Sequence, residues 1–198
     1  MQKAIIIFVR NPELGKVKTR LAKEIGDAKA LQVYTELLQH THTITSHLDC
    51  DRFVFYTDVI NENDLWNDGF EKKLQEGESL GDRMLLAFFV LFQQGYSKIV
   101  IVGSDCPELT PFIIEDAFDK LDTSDVVIGP STDGGYYLLG LTKLIPPLFA
   151  NKQWSTGTVL ADTINDIALL RKSYSLLTEL SDIDTAQDLA RFNLNRTS

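Results

Sequence analysis

The sequence is poor in cysteine, in histidine and in positive charge, and it has no long apolar run. Its two cysteines, Cys50 and Cys106, stand far apart. That excludes a disulfide framework and makes a reducing cytoplasm the expected compartment. The three histidines, His40, His42 and His47, share no helical face and have no matching ligand partners, so they read as ordinary surface or half-buried residues. With 19 Lys and Arg against 28 Asp and Glu, the net charge is -9. Duplex DNA and anionic membrane would repel such a chain, so no nucleic acid is expected as a partner. The longest apolar run, Met84 to Phe92, is too short to span a bilayer. The apolar run near the N-terminus is too short for a signal peptide. No linker, repeat or low-complexity tract interrupts the 198 residues, which suit one domain, 1–198, with a sizeable core.

Against this acidic background one cationic cluster stands out. An apolar run, Ala4 to Val9, turns directly into a loop carrying Arg10, Lys16, Lys18 and Arg20. A continuous apolar run of this kind is typical of a buried parallel strand. Loops at the carboxyl ends of such strands are where ligands bind in open α/β sheets. Gly15 permits a tight turn, and the cations suit the oxygens of a phosphate chain. The spacing excludes a Walker A loop, and a solvated basic start to a helix explains the cluster equally well.

Further strands are expected at 52–57, 98–103, 125–129, 136–141 and 175–180. Helices are expected from Asp27 to about His47, from Ser79 to Gln94, from Thr110-Pro111, from Ser155 or Thr156 to Ile167, and from Thr185. The alternation predicts a three-layer α/β/α sandwich around a mainly parallel, mixed sheet. The helix at 79–94 is apolar nearly all round, which places it in the core or at a surface where two copies pair as a homodimer.

Three other motifs carry chemistry. Gly103-Ser104-Asp105-Cys106-Pro107 puts a carboxylate at the ligand edge of a strand, where Mg²⁺ beside phosphates would need one. Cys106 beside Asp105 is no candidate nucleophile, since a neighbouring carboxylate raises a thiol pKa. Asp182 and Asp184 lie two apart and point the same way if extended. If either met Asp105 at about 5 Å, repulsion would be roughly 3 kcal/mol at an effective dielectric near 20, which a divalent cation relieves. Thr185 and Asp188 also read as a plain capping pair. Asp133-Gly134-Gly135-Tyr136 reads either as a hairpin turn or as a glycine-lined substrate wall.

Taken together, the motifs resemble the nucleotide-diphospho-sugar transferase superfamily of GT-A fold, and within it the MobA-like and CofC-like bacterial group labelled glycosyltransferase of unknown function. The resemblance rests on Arg10-x-Pro12-x-x-Gly15-x-x-Lys18-Thr19-Arg20-Leu21, Gly103 to Pro107, Asp133 to Tyr137 and Asp182 to Thr185, in that order. It implies that Arg10, Gly15, Lys16, Lys18 and Arg20 hold nucleotide phosphates, and that Leu80-Gly81 faces the base. It also implies that Asp105, Asp182 and Asp184 hold Mg²⁺ or Mn²⁺, and that Asp133, Gly134, Gly135 and Tyr136 line the acceptor or sugar site. Asn11-Pro12-Glu13-Leu14-Gly15 stands where sugar pyrophosphorylases and MobA itself have a glycine-rich first loop. The expected activity is nucleotidyl transfer from an NTP, with Lys18 and Asp105 catalytic. Glycosyl transfer from a nucleotide-sugar and an inactive nucleotide-binding module are the alternatives.

Overall fold

In the computed structural model, residues 2–196 are described. They form a seven-stranded sheet between two layers of helices. In chain order the strands are β1 (Lys3–Val9), β2 (Asp51–Tyr56), β3 (Glu71–Leu74), β4 (Lys98–Val102), β5 (Val126–Pro130), β6 (Tyr136–Leu141) and β7 (Tyr174–Leu176). The helices are α1 (Thr19–Ile25), α2 (Asp27–Thr45), α3 (Leu80–Gln93), α4 (Pro111–Lys120), α5 (Val159–Leu169) and α6 (Ala186–Arg196). The sheet order is β3-β2-β1-β4-β6-β5-β7. β6 runs antiparallel to both its neighbours, β4 and β5. The other strand pairs are parallel. The sheet is therefore mixed and mainly parallel, as expected.

Parallel pairing sets the ligand edge. Ile7 of β1 is in register with Val102 of β4, so the loops after Val9 and Val102 leave the sheet side by side. The central strands are apolar on both faces because helices cover both. Ile5, Ile7, Val100 and Val102 face a core completed by α2 and α4. Ile6, Ile99 and Ile101 face one completed by α3.

Three helix starts carry side-chain caps, and two of them, at Thr110 and at Thr185 with Asp188, are legible in the sequence. Ser79 accepts from the Asp82 N–H while the Asp82 carboxylate accepts from the Ser79 N–H, a capping box at the start of α3. Thr110 accepts from the Ile113 N–H and Pro111 takes the first position of α4. Asp188 accepts from the Thr185 N–H and hydroxyl at the start of α6. The fourth differs. α5 begins after Thr158, not at Ser155 or Thr156. Ser155 sits at φ 63, outside helical space. Two elements, α1 and the edge strand β3, have no counterpart in the sequence pattern. α3 buries Met84, Ala87, Phe88 and Leu91, so it belongs to the core. Leu86, Phe89 and Val90 remain exposed on its other side.

Candidate active site

Three segments distant in sequence meet at the carboxyl edge of β1 and β4. The first is the cationic loop. Asn11 is buried and anchors it: its side-chain N–H donates to the Val59 carbonyl, and its oxygen accepts from the Asp58 and Val59 N–H groups. The Tyr34 hydroxyl of α2 accepts from the Arg10 N–H at 2.8 Å and lies 3.3 Å from the Ser104 hydroxyl, so one side chain ties the β1 loop to the β4 loop. Burial pushes that phenol up to about 12, so it acts as a neutral clamp. The stretch where the chain departs from glycine-rich loops is thus a braced turn, with Gly15 at φ 76.

The second segment follows β4 and carries Asp105. The third, residues 180–185, is pinned beside it. Leu180 bridges to Ser131, the Ser181 N–H donates to Glu108, and the Ile183 N–H donates to the Asp105 carbonyl at 3.2 Å. Ile183 is itself buried with Leu21 and Leu37. Burying it holds its two flanking carboxylates at the edge.

Lys18 closes the arrangement. Its side chain is only 4% exposed, and its ammonium lies 3.2 Å from Asp105 Oδ1 and 3.3 Å from Asp184 Oδ1. Its backbone is left-handed, φ 48 and ψ 44, a conformation uncommon for a residue with a Cβ. Arg20 donates to Asp184 Oδ2 at 2.6 Å from the exposed rim. Asp182 accepts from the Ser131 hydroxyl at 3.1 Å. Burial, and then the Asp105 carboxylate, push it up to about 6.

Lys18, Arg20, Asp105, Asp182 and Asp184 are therefore brought together. Arg10 is exposed, and Lys16 is turned outward onto Glu13 at 2.6 Å, which raises its pKa. Among the described residues, no three His, Cys, Asp or Glu side chains are arranged to hold a metal ion. The positive group between Asp105 and Asp184 is the Lys18 ammonium.

Beside the carboxylates lies a cavity of about 210 Å³. Leu80, Asp133, Gly135, Tyr136 and Asp182 line it, along with Phe8, Met84 and Trp154, which carry no signal in the sequence. Gly81 does not face it as an open turn: a Cβ there would lie 2.6 Å from both the Trp154 indole nitrogen and the Phe149 carbonyl. Its missing side chain lets Trp154 pack on the start of α3. Asp133 to Gly135 form the turn between β5 and β6, with Asp133 accepting from the Gly135 N–H, and Asp133 and Gly135 also line the cavity. Gly134, at φ 86, lies so close to Gly157 that a Cβ would be 2.2 Å from its carbonyl oxygen. The Tyr136 hydroxyl is buried without a hydrogen-bond partner among the described residues. Cys106 is buried, and its thiol is pushed up to about 12, which removes it as a nucleophile.

Residues 40–156 match the family described as an uncharacterized protein conserved in bacteria (DUF2064). This chain belongs to that family. Among solved structures, a provisionally named nucleotide-diphospho-sugar transferase from Desulfovibrio desulfuricans G20 is 31% identical, with a TM-score of 0.93 over 100% of this chain and 90% of that one. The inositol-1-phosphate CTP transferase from T. maritima is 15% identical, TM-score 0.60, over 95% and 91% of the two chains. Rv0371c from Mycobacterium tuberculosis H37Rv, solved in complex with manganese, is 14% identical, TM-score 0.55, over 96% and 97%. No curated protein matches the sequence. The DUF2064 chain thus has the fold of the nucleotide-diphospho-sugar transferases. The matched span includes Asp105 and the Asp133 turn, while the cationic loop and the late acidic segment lie outside it.

Proposed function

We propose that this DUF2064 protein is a divalent-metal-dependent nucleotidyltransferase that joins an NTP to a small phosphorylated or hydroxyl acceptor and releases pyrophosphate. The observation that carries the reading is the convergence of Lys18 and Arg20 with Asp105, Asp182 and Asp184 at one sheet edge. A site with both signs suits a substrate that brings phosphates and a cation together. The named likeness to a nucleotide-diphospho-sugar transferase and to a CTP transferase supports it.

In donor chemistry the residues suit a divalent cation, although among the described residues no three acidic side chains stand around one point. Asp105 and Asp184 already hold a positive group between them, and Asp182, raised chiefly by burial, lies near enough to Asp105 to feel its charge. Asp105, Asp182 and Asp184 supply the hard carboxylate oxygens that Mg²⁺ or Mn²⁺ takes. When bound, the ion would neutralise charge developing on the phosphates. Lys18 and Arg20 would bind phosphate oxygens, Arg20 in bidentate fashion. The acceptor oxygen attacks the α-phosphorus, the bond to the bridging α–β oxygen breaks, and pyrophosphate leaves. The cavity lined by Phe8, Tyr136 and Trp154 would hold the acceptor against this line of attack and keep water from it.

Glycosyl transfer remains the second reading, on the name carried by the 31% identical relative. A pyrophosphate-release assay over a panel of NTPs and sugar phosphates, run beside a nucleotide-sugar hydrolysis assay, separates the two. Turnover of nucleotide-sugars without pyrophosphate release would replace the first reading by the second.

A further inference from the structure

The Lys18 ammonium occupies ground that a metal ion would want. It is nearly inaccessible to solvent, it contacts carboxylate oxygens of both Asp105 and Asp184, and a left-handed backbone turn points it inward. A buried ammonium needs such partners, because an unpaired charge away from water is costly. The carboxylates need it equally, since Asp105, Asp182 and Asp184 otherwise crowd like charges together. Arg20 cannot substitute: it reaches only Asp184, from the exposed rim.

We infer that Lys18 is a built-in placeholder cation that enforces binding order, so that a divalent ion reaches Asp105 and Asp184 only after nucleotide phosphates have drawn the ammonium away. Phosphate oxygens offer Lys18 replacement partners of the same sign as the ones it leaves. The vacated carboxylates then accept the ion that arrives with, or after, the nucleotide. An ion on these oxygens would lie against the ammonium and be repelled by it, so metal alone competes with Lys18, and nucleotide removes the competitor. The nucleotide-free protein thereby keeps its acidic cluster neutralised and discriminates against free metal. This rests on the nucleotidyltransferase reading for the identity of the ligands, but its test needs neither nucleotide nor turnover.

The test is Mn²⁺ titration of nucleotide-free protein, followed by electron paramagnetic resonance of the free ion. Lys18→Met keeps the length of the side chain and removes its charge. Lys18→Gly also removes the strain of the left-handed turn, and guards against a folding defect in the first variant. Circular dichroism checks both. Each variant should bind Mn²⁺ about ten- to a hundredfold more tightly than the wild type, the range expected when a hydrogen-bonded charge no longer has to be displaced. Arg20→Met removes the same charge from the rim and should change the affinity by less than about threefold. Equal tightening in the Lys18 and Arg20 variants would overturn the placeholder role in favour of general charge. Tight binding to the wild type, unchanged by either Lys18 variant, would overturn it while leaving the metal site standing. No Mn²⁺ binding by any of these proteins would remove the metal site from the proposed function, and the placeholder with it.

Discussion

Replacing Asp182 by asparagine removes a charge that the fold holds at a cost. The Asp182 carboxyl is pushed from 3.8 to about 6 by burial and by Asp105. At about 1.36 kcal/mol for each tenfold change in acidity, ionising it costs about 3 kcal/mol more in the folded than in the unfolded chain. Below the unfolded value both states carry the proton, and the cost is absent. As pH rises from about 4 to 6 the unfolded chain ionises first and wild-type stability falls; above 6 the full deficit persists. The asparagine side chain keeps an oxygen to accept from the Ser131 hydroxyl but carries no charge. Without metal, Asp182→Asn should therefore be about 1–3 kcal/mol more stable than the wild type at neutral pH, with the gap closing near pH 4. Urea denaturation of the metal-free proteins at a series of pH values measures this. A variant less stable than the wild type at neutral pH, or a gap independent of pH, would refute the reasoning.

Other substitutions probe other parts of the site. Lys18→Ala should weaken metal-free nucleotide binding by about 1.5–3 kcal/mol by calorimetry; an unchanged affinity would take the loop out of the site. Tyr136→Phe removes a buried hydroxyl that lacks a partner among the described residues and should raise stability by up to about 1–3 kcal/mol in thermal denaturation, whereas destabilisation would mean the hydroxyl is bonded. Gly134→Ala forces a Cβ against the Gly157 carbonyl in a left-handed backbone and should cost more than about 1 kcal/mol, with loss of ligand binding in the adjoining cavity. Gly81→Ala should displace Trp154, seen as a shift in tryptophan emission, at a cost of about 1–3 kcal/mol.

Much of this architecture is legible in the sequence because burial on both faces leaves an unbroken apolar record in β1 and β4. α1 leaves almost none: in its seven residues only Leu21 is fully buried, and Ile25 is the one other large apolar side chain. β3, Glu-Lys-Lys-Leu, is an edge strand hydrogen-bonded to β2 on one side only, so nothing requires it to be apolar. The chemistry-bearing residues can be read from type and position, but their meeting cannot. Asp182 reaches Asp105 through backbone contacts at Leu180 and Ile183 that any side chain could make. Tyr34 reads as one more apolar position of α2, yet its hydroxyl braces two loops. Trp154 and Gly81 each have a local explanation alone, and only their contact gives the glycine its purpose.

The central claim, that cations and carboxylates at this edge form one nucleotidyltransferase site, is tested most directly by pyrophosphate release. Wild-type protein with Mg²⁺, an NTP panel and sugar phosphates should release pyrophosphate, and Asp105→Ala, still folded, should lose at least about a hundredfold of that rate. Full activity in Asp105→Ala, or no release with any NTP, would contradict the account.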